Sequence, residues 1–270
     1  MESMVDSYME QESVKATRHW QRGELREAEE AYVRMAQHAP RHADSFFNVG
    51  LVRYSAGNLV GSVEAIEHAL RLPAGHVHHS AYHHQLGTTL CMMAEKSNDL
   101  VEWDRGIRHL AQAVQLDPLN VRAWASAATN YMAMGYSSMA MRLTDTASRL
   151  SPPADALAAL AINYQRVHRN GDAVRAFERT LAMDPSRHRT RVELFHCLCT
   201  VAQWGEYDAN LELVSRITSD QVQAGLTTNV QPFDALAYPL PGRALRGIAR
   251  SYALEALRNT DPSLRFRHPP

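Results

Sequence analysis

A chain of 270 residues is long enough to bury a sizeable core, as one elongated domain or one to two globular ones. Its formal charge is −1 at pH 7, and its 26 arginines are scattered along the chain beside two lysines, Lys15 and Lys96. No whole-chain field therefore draws it to nucleic acid or to an anionic membrane surface.

The first twelve residues carry four acids and no base, which excludes a secretory signal peptide. No apolar run approaches the roughly 20 residues of a membrane span. Cys91, Cys197 and Cys199 form neither a CxxC pair nor a disulfide framework and read as reduced thiols. The expectation is a soluble protein of the cytoplasm and/or nucleus.

Along the chain a short tail, 1–8, precedes a register close to 34 residues. Prolines close successive units at Pro40, Pro118, Pro152 and Pro185. Five residues before each stands Met35, Ala113, Ala147 or Thr180, and twelve before stands Ala28, Gly106, Ala140 or Ala173. The first helix of each unit repeats as well: Phe46, Val49 and Gly50 answer to Trp124, Ala127 and Ala128, and to Leu157, Leu160 and Ala161. Small residues at unit positions eight and twenty let two helices approach closely, while bulky ones fill the space towards the next unit. Gly57 and Gly135 end first helices where a positive φ costs a glycine little.

This pattern is identified as a tetratricopeptide repeat, which implies an all-α, right-handed superhelical solenoid. Five units fall at roughly 9–42, 43–76, 80–120, 121–154 and 154–187, and a degenerate sixth covers 188–220, where Leu194, Leu198, Tyr207 and Leu211 keep the register. The third unit is overlong. Gly87 and Gly106 are nineteen apart where twelve are expected, so an insertion near 94–101, around EKSNDLV, is expected to bulge between its helices.

In such an array the first helix of each unit lines a concave groove that takes extended peptides or partner helices. Position six supplies Asn48, Gln85 and Ser126, whose donors and acceptors can serve a ligand backbone whatever its sequence. The same positions also read as ordinary solvated helix faces. Proteins or peptides are thus the expected partners, with no nucleic acid and no membrane.

Five histidines lie between His76 and His84. His83 falls on an interhelix packing position, His84 faces the groove, and His76, His78 and His79 are placed in the preceding linker. No acid or cysteine stands at ligand spacing, so no metal is expected. Cys197 and Cys199, two apart on a helix, point to different faces. No phosphate loop, nucleophile elbow or paired carboxylates is present, so no catalytic residue and no cofactor is assigned.

From Arg191 the text changes. A Cys-containing helix is followed by a W-x-x-Y turn (Trp204, Tyr207), an amphipathic helix and the stretch QPFDALAYPLPG. Pro232, Pro239 and Pro241 forbid a regular helix there, and Phe233 and Tyr238 are expected to anchor it on the end of the array. The last helix sets Leu245, Ile248, Ala249 and Tyr252 on one face and Arg243, Arg246 and Arg250 on the other. Its apolar face must dock on the final repeats or on a following domain. The segment 221–270 thus reads as a Pro/aromatic linker with a C-terminal capping helix.

The order of these features resembles the end of the repeat array in protein O-linked N-acetylglucosaminyltransferases, at the junction with their catalytic domain. The resemblance implies a region that selects protein substrates, for a catalytic part that moves N-acetylglucosamine from UDP-N-acetylglucosamine to Ser and Thr hydroxyls. That part would begin about where this chain stops, so the chain is expected to be inactive alone. The family's groove carries an asparagine ladder at position six. Asn48 matches it, Gln85 and Ser126 are polar substitutes, and Ala159 and Glu193 depart from it. Relatives also dimerise through their convex faces, which leaves a homodimer open here.

Overall fold

The computed structural model describes residues 2–259, with side chains placed for residues 8–258. Among them are thirteen α-helices, one short 3-10 helix and no strand. The chain divides into an N-terminal unit, Met1–Pro152, and a C-terminal unit, Pro153–Pro270.

The N-terminal unit is four helix pairs in sequence: α1 (Glu2–Gln21) with α2 (Leu25–His38), α3 (Ala43–Ser55) with α4 (Leu59–Leu70), α5 (His76–Ser97) with α6 (Leu100–Leu116), and α7 (Val121–Ala133) with α8 (Ser137–Arg149). Each helix packs on the next, and α5 also touches both α3 and α7, so the first helices of successive pairs form a layer. The C-terminal unit pairs α9 (Ala154–Arg166) with α10 (Asn170–Met183) and α11 (His188–Thr200) with α12 (Tyr207–Gln223). A 3-10 helix, Asp234–Ala237, and α13 (Gly242–Asn259) follow.

The small-residue register organises this packing. Positions eight and twenty of the five units are Ala16 and Ala28, Gly50 and Ser62, Gly87 and Gly106, Ala128 and Ala140, and Ala161 and Ala173, and all ten are buried. Where serine replaces alanine, Ser62 Oγ donates to the Gly50 carbonyl of the facing helix (2.8 Å), so its hydroxyl is satisfied in the interior. Each turn between paired helices holds one left-handed residue, at Gly23, Gly57, Asn98, Gly135, His168 and Ala202 in turn. The last two lack the glycine that makes this conformation cheap and carry about 1–2 kcal/mol of strain each.

Five expectations are corrected. The tail assigned to 1–8 is the beginning of α1, which starts at Glu2. The insertion near 94–101 makes no bulge, because the extra residues lengthen both helices of the third pair, to 22 residues in α5 and 17 in α6. Asn98 (φ 54°) stops α5, and Asp99 caps α6 by accepting from the amides of Val101 and Glu102. The added turns bury Ala94 against Trp103 and Ile107, so helix was the way to remove that surface from water. His76, His78 and His79 are the first turn of α5 rather than a linker.

The fourth correction concerns the proline-rich segment. Tyr238 is 7% exposed and anchors it, with its ring 5.0 Å from Phe195 and its hydroxyl 3.1 Å from His196 Nδ1. Phe233 is 84% exposed and anchors nothing. α13 docks on its own unit, burying Ile248 and Ala244 with Phe195, Val214, Tyr238 and Leu240, while Leu245 and Tyr252 pack at the margin. The fifth correction is Ala249, which was expected on that face and is exposed. Residues 260–270, the end of the expected C-terminal segment, lie outside the described residues.

His83 and His109 stack between α5 and α6, with ring centroids 5.1 Å apart and the two Nδ1 atoms at 2.9 Å. One Nδ1 must carry a proton and the other accept it, an arrangement that double protonation destroys. Burial, then the charges of His109 and His79, push His83 down to about 4. Burial, then Arg105, lowers His109, while Glu67 opposes. The folded state thus takes up these protons later than the unfolded chain does. Stability from the pair is complete above about pH 6.5 and falls as the pH drops from there towards 4. The urea midpoint of the wild type is expected to fall between about pH 7.5 and about pH 5, and to fall less for His83→Gln. Equal falls in both would refute this.

Candidate functional site

The position-six residues stand on three consecutive helices of one layer: Asn48 on α3, Gln85 on α5 and Ser126 on α7. All three are half-buried, as are Phe47, Leu51, Ala81, His84, Thr88, Met92 and Thr129 around them. The face is therefore neither core nor free surface, as a binding surface of modest depth requires.

The three residues are not equally free. The Asn48 side-chain amide has no hydrogen bond among the described residues. Gln85 Nε2 reaches only Thr89 Oγ1 of its own helix, at 3.5 Å, which leaves most of its capacity unused. Ser126 Oγ is already engaged, 3.0 Å from His84 Nε2, and that contact ties α5 to α7. Asn130 donates to the Ser126 carbonyl (2.9 Å), as an added clamp within α7. Free amide capacity thus lies on α3 and α5, and the α7 member serves the scaffold.

Asp44, in the first turn of α3, is committed as well. Tyr82 donates its hydroxyl to Asp44 Oδ1, and His78 Nδ1 donates to the same oxygen (3.0 Å), while the Phe47 ring lies 4.6 Å from the Tyr82 ring. Burial raises the Asp44 carboxyl, but the hydrogen bonds from Tyr82 and His78 together hold it below its ordinary range. Burial, then Asp44 itself, pushes the Tyr82 phenol up. This polar cluster fixes α5 against α3. No local spacing announces it, because its partners are 34 and 38 positions apart.

Among the described residues, no three of His, Cys, Asp or Glu come together as a ligand set. Burial pushes the Cys91 and Cys197 thiols up to about 12, so both are held protonated. No described helix is long and apolar enough to cross a membrane. In the C-terminal unit position six is held by Ala159 and Glu193, both half-buried, and neither offers a side-chain amide.

A tetratricopeptide-repeat profile matches residues 14–76. No characterised protein matches the chain by sequence. Among solved structures, a thermophilic tetratricopeptide-repeat protein of Thermus thermophilus is similar over 71% of this chain and 99% of its own, at 15% identity and a TM-score of 0.62. A tetratricopeptide-repeat protein from Parabacteroides merdae is similar over 96% of both chains, at 13% identity and a TM-score of 0.57. An O-GlcNAc transferase mutant of Thermobaculum terrenum also matches, over 54% of this chain and 26% of its own, at 22% identity and a TM-score of 0.45. At that score it carries no argument. Profile, small-residue register and structural likeness agree on one architecture, and the chain is an all-α tetratricopeptide-repeat solenoid.

Proposed function

We propose that this chain is a protein-interaction scaffold that holds an extended peptide along the face of α3, α5 and α7. We further propose that it forms the substrate-recognition repeat region of an O-GlcNAc-transferase-like glycosyltransferase. The observation that carries the first reading is the pair of amide side chains, Asn48 and Gln85, half-buried on adjacent helices with capacity to spare. An amide offers donor and acceptor together, which matches a peptide backbone independently of sequence. The second reading rests on the order of Trp204, Tyr207, the Pro-Phe pair and the arginine-bearing last helix. It assigns sugar transfer to a catalytic domain outside this chain, and its setting to the cytoplasm or nucleus.

The alternative is a stand-alone adaptor with the same face and no transferase. In-frame coding sequence for a two-lobed nucleotide-sugar domain downstream would decide for the transferase, and a stop codon for the adaptor. Sugar transfer by the purified 270-residue chain would contradict both.

Binding is tested with a peptide selected from a random display library against the purified chain. Asn48→Ala and Gln85→Ala are each expected to weaken it about fivefold, the value of one net hydrogen bond of about 1 kcal/mol. Unchanged affinity in both would remove the two amides from the site.

A further inference from the structure

A second surface, in the C-terminal unit, differs in chemistry from the amide-bearing face. α13 lies close on the end of α12 because residue 247 has no side chain: a Cβ there would stand 2.7 Å from Val222 Cγ1. Beside this crossing opens a cleft of about 620 Å³. Its floor is apolar, from Val222 together with Leu226 and Leu254, which are 57% and 43% exposed. Its rim is Arg243, Arg246 and Arg250, which fall with Leu254 on one stripe of α13.

Unlike the arginines held in ion pairs, these three gather unengaged on one stripe. Arg34 pairs with Glu12, Arg53 with Glu29, Arg105 with Glu67 and Arg169 with Asp172. Arg243, Arg246 and Arg250 are exposed and have no hydrogen bond or ion pair among the described residues. No carboxylate lines the cleft. The partial negative charge of the α12 C-terminus, about half a unit, is outweighed by three full positive ones.

We infer that this cleft docks an acidic amphipathic helix of a partner protein, with its carboxylates on the three arginines and its apolar stripe on Val222, Leu226 and Leu254. The arginines span about 10 Å along α13, two helical turns, so carboxylates at three- and four-residue spacing on a facing helix meet them in step. Guanidinium groups accept such carboxylates bidentately. A polyphosphate ligand would leave the leucines uncovered, and no aromatic ring in the cleft offers a base a stacking surface. Glu2, Asp6 and Glu10, the acids near the start of the chain other than the buried Glu12, make a second copy of this chain the competing occupant.

The probe is a fluorescein-labelled helical peptide whose glutamates repeat at three- and four-residue spacing beside a leucine stripe. It is titrated onto the full chain and onto Arg246→Glu/Arg250→Glu, whose fold is checked by circular dichroism. The expected result is binding to the wild type that weakens about tenfold or more in the variant and with added salt, and no binding of the lysine-for-glutamate peptide. Failure of the glutamate peptide to bind would overturn the proposal, as would affinity indifferent to the two substitutions. So would tighter binding of a single-stranded oligonucleotide of similar length. Sedimentation velocity covers the second copy: self-association of the wild type that the double substitution abolishes would overturn the assignment to a separate partner.

Discussion

Gly87→Ala is expected to cost about 1–3 kcal/mol of unfolding free energy, although it adds a single methyl group to a helix. That methyl would stand 2.7 Å from the Gly106 carbonyl oxygen and 3.0 Å from the Leu110 amide nitrogen, both backbone atoms that no rotamer change can move. It would also meet Leu110 Cγ at 2.8 Å, a side chain that is fully buried. α5 and α6 must separate, and the loss spreads through the longest helix pair of the N-terminal unit. Gly106→Ala meets the reciprocal obstacle, at 2.6 Å from Cys91 Sγ and 2.9 Å from the Gly87 carbonyl, and is expected to cost a similar amount. The two costs should not add fully, since either one opens the same contact.

Gly171→Ala supplies the opposite sign. That glycine lies in the first turn of α10 with only the end of the Arg175 side chain near, at 3.9 Å, so alanine is expected to gain a little by helix propensity, less than the roughly 1 kcal/mol of a helix interior. Urea midpoints at unchanged m value decide both predictions. A Gly87→Ala chain as stable as the wild type would mean that the two helices do not approach in this way. α5 also carries His84 and Gln85, so peptide affinity is expected to fall with the Gly87 substitution and not with that at Gly171.

The second large effect separates two aromatic residues five positions apart. Tyr238→Ala is expected to cost about 3–5 kcal/mol, because the ring fills the C-terminal core against Phe195 and its hydroxyl meets His196. Phe233→Ala, at a solvent-exposed site, is expected to stay within about 0.5 kcal/mol of the wild type. Thermal unfolding of the two variants checks this, and comparable losses in both would contradict the packing of the proline-rich segment described above.

These two segments also mark what was legible in the chain. The architecture was written in small residues at fixed spacing, because close helix approach excludes larger side chains wherever it occurs. Turns marked by glycine could be read, whereas those at His168 and Ala202 could not, since there tertiary packing holds residues that do not favour a left-handed backbone. The count of residues near 94–101 fixes the size of the insertion and says nothing of the course it takes. Trp103 and Ile107 on α6, with Ala94 on α5, reward longer helices over a loop.

The candidate site was legible only as positions on a face. That Ser126 is spent on His84, 42 residues away, and Asp44 on Tyr82 is a matter of contacts between repeats, which periodicity within one repeat does not encode. Phe233 and Tyr238 carry the same aromatic signal in the same segment. Only the course of the chain between its prolines decides which one turns inward.

The central claim, that the α3–α5–α7 face receives an extended peptide, is tested most directly by photo-crosslinking. A library-selected peptide carrying a photoreactive residue at successive positions is irradiated on the purified chain, and the adducts are mapped by mass spectrometry. The account predicts adducts on α3, α5 and α7, around Asn48 and Gln85, advancing from helix to helix as the reactive position moves along the peptide. Adducts confined to α2, α4 and α6, or a chain from which no peptide can be selected, would contradict it.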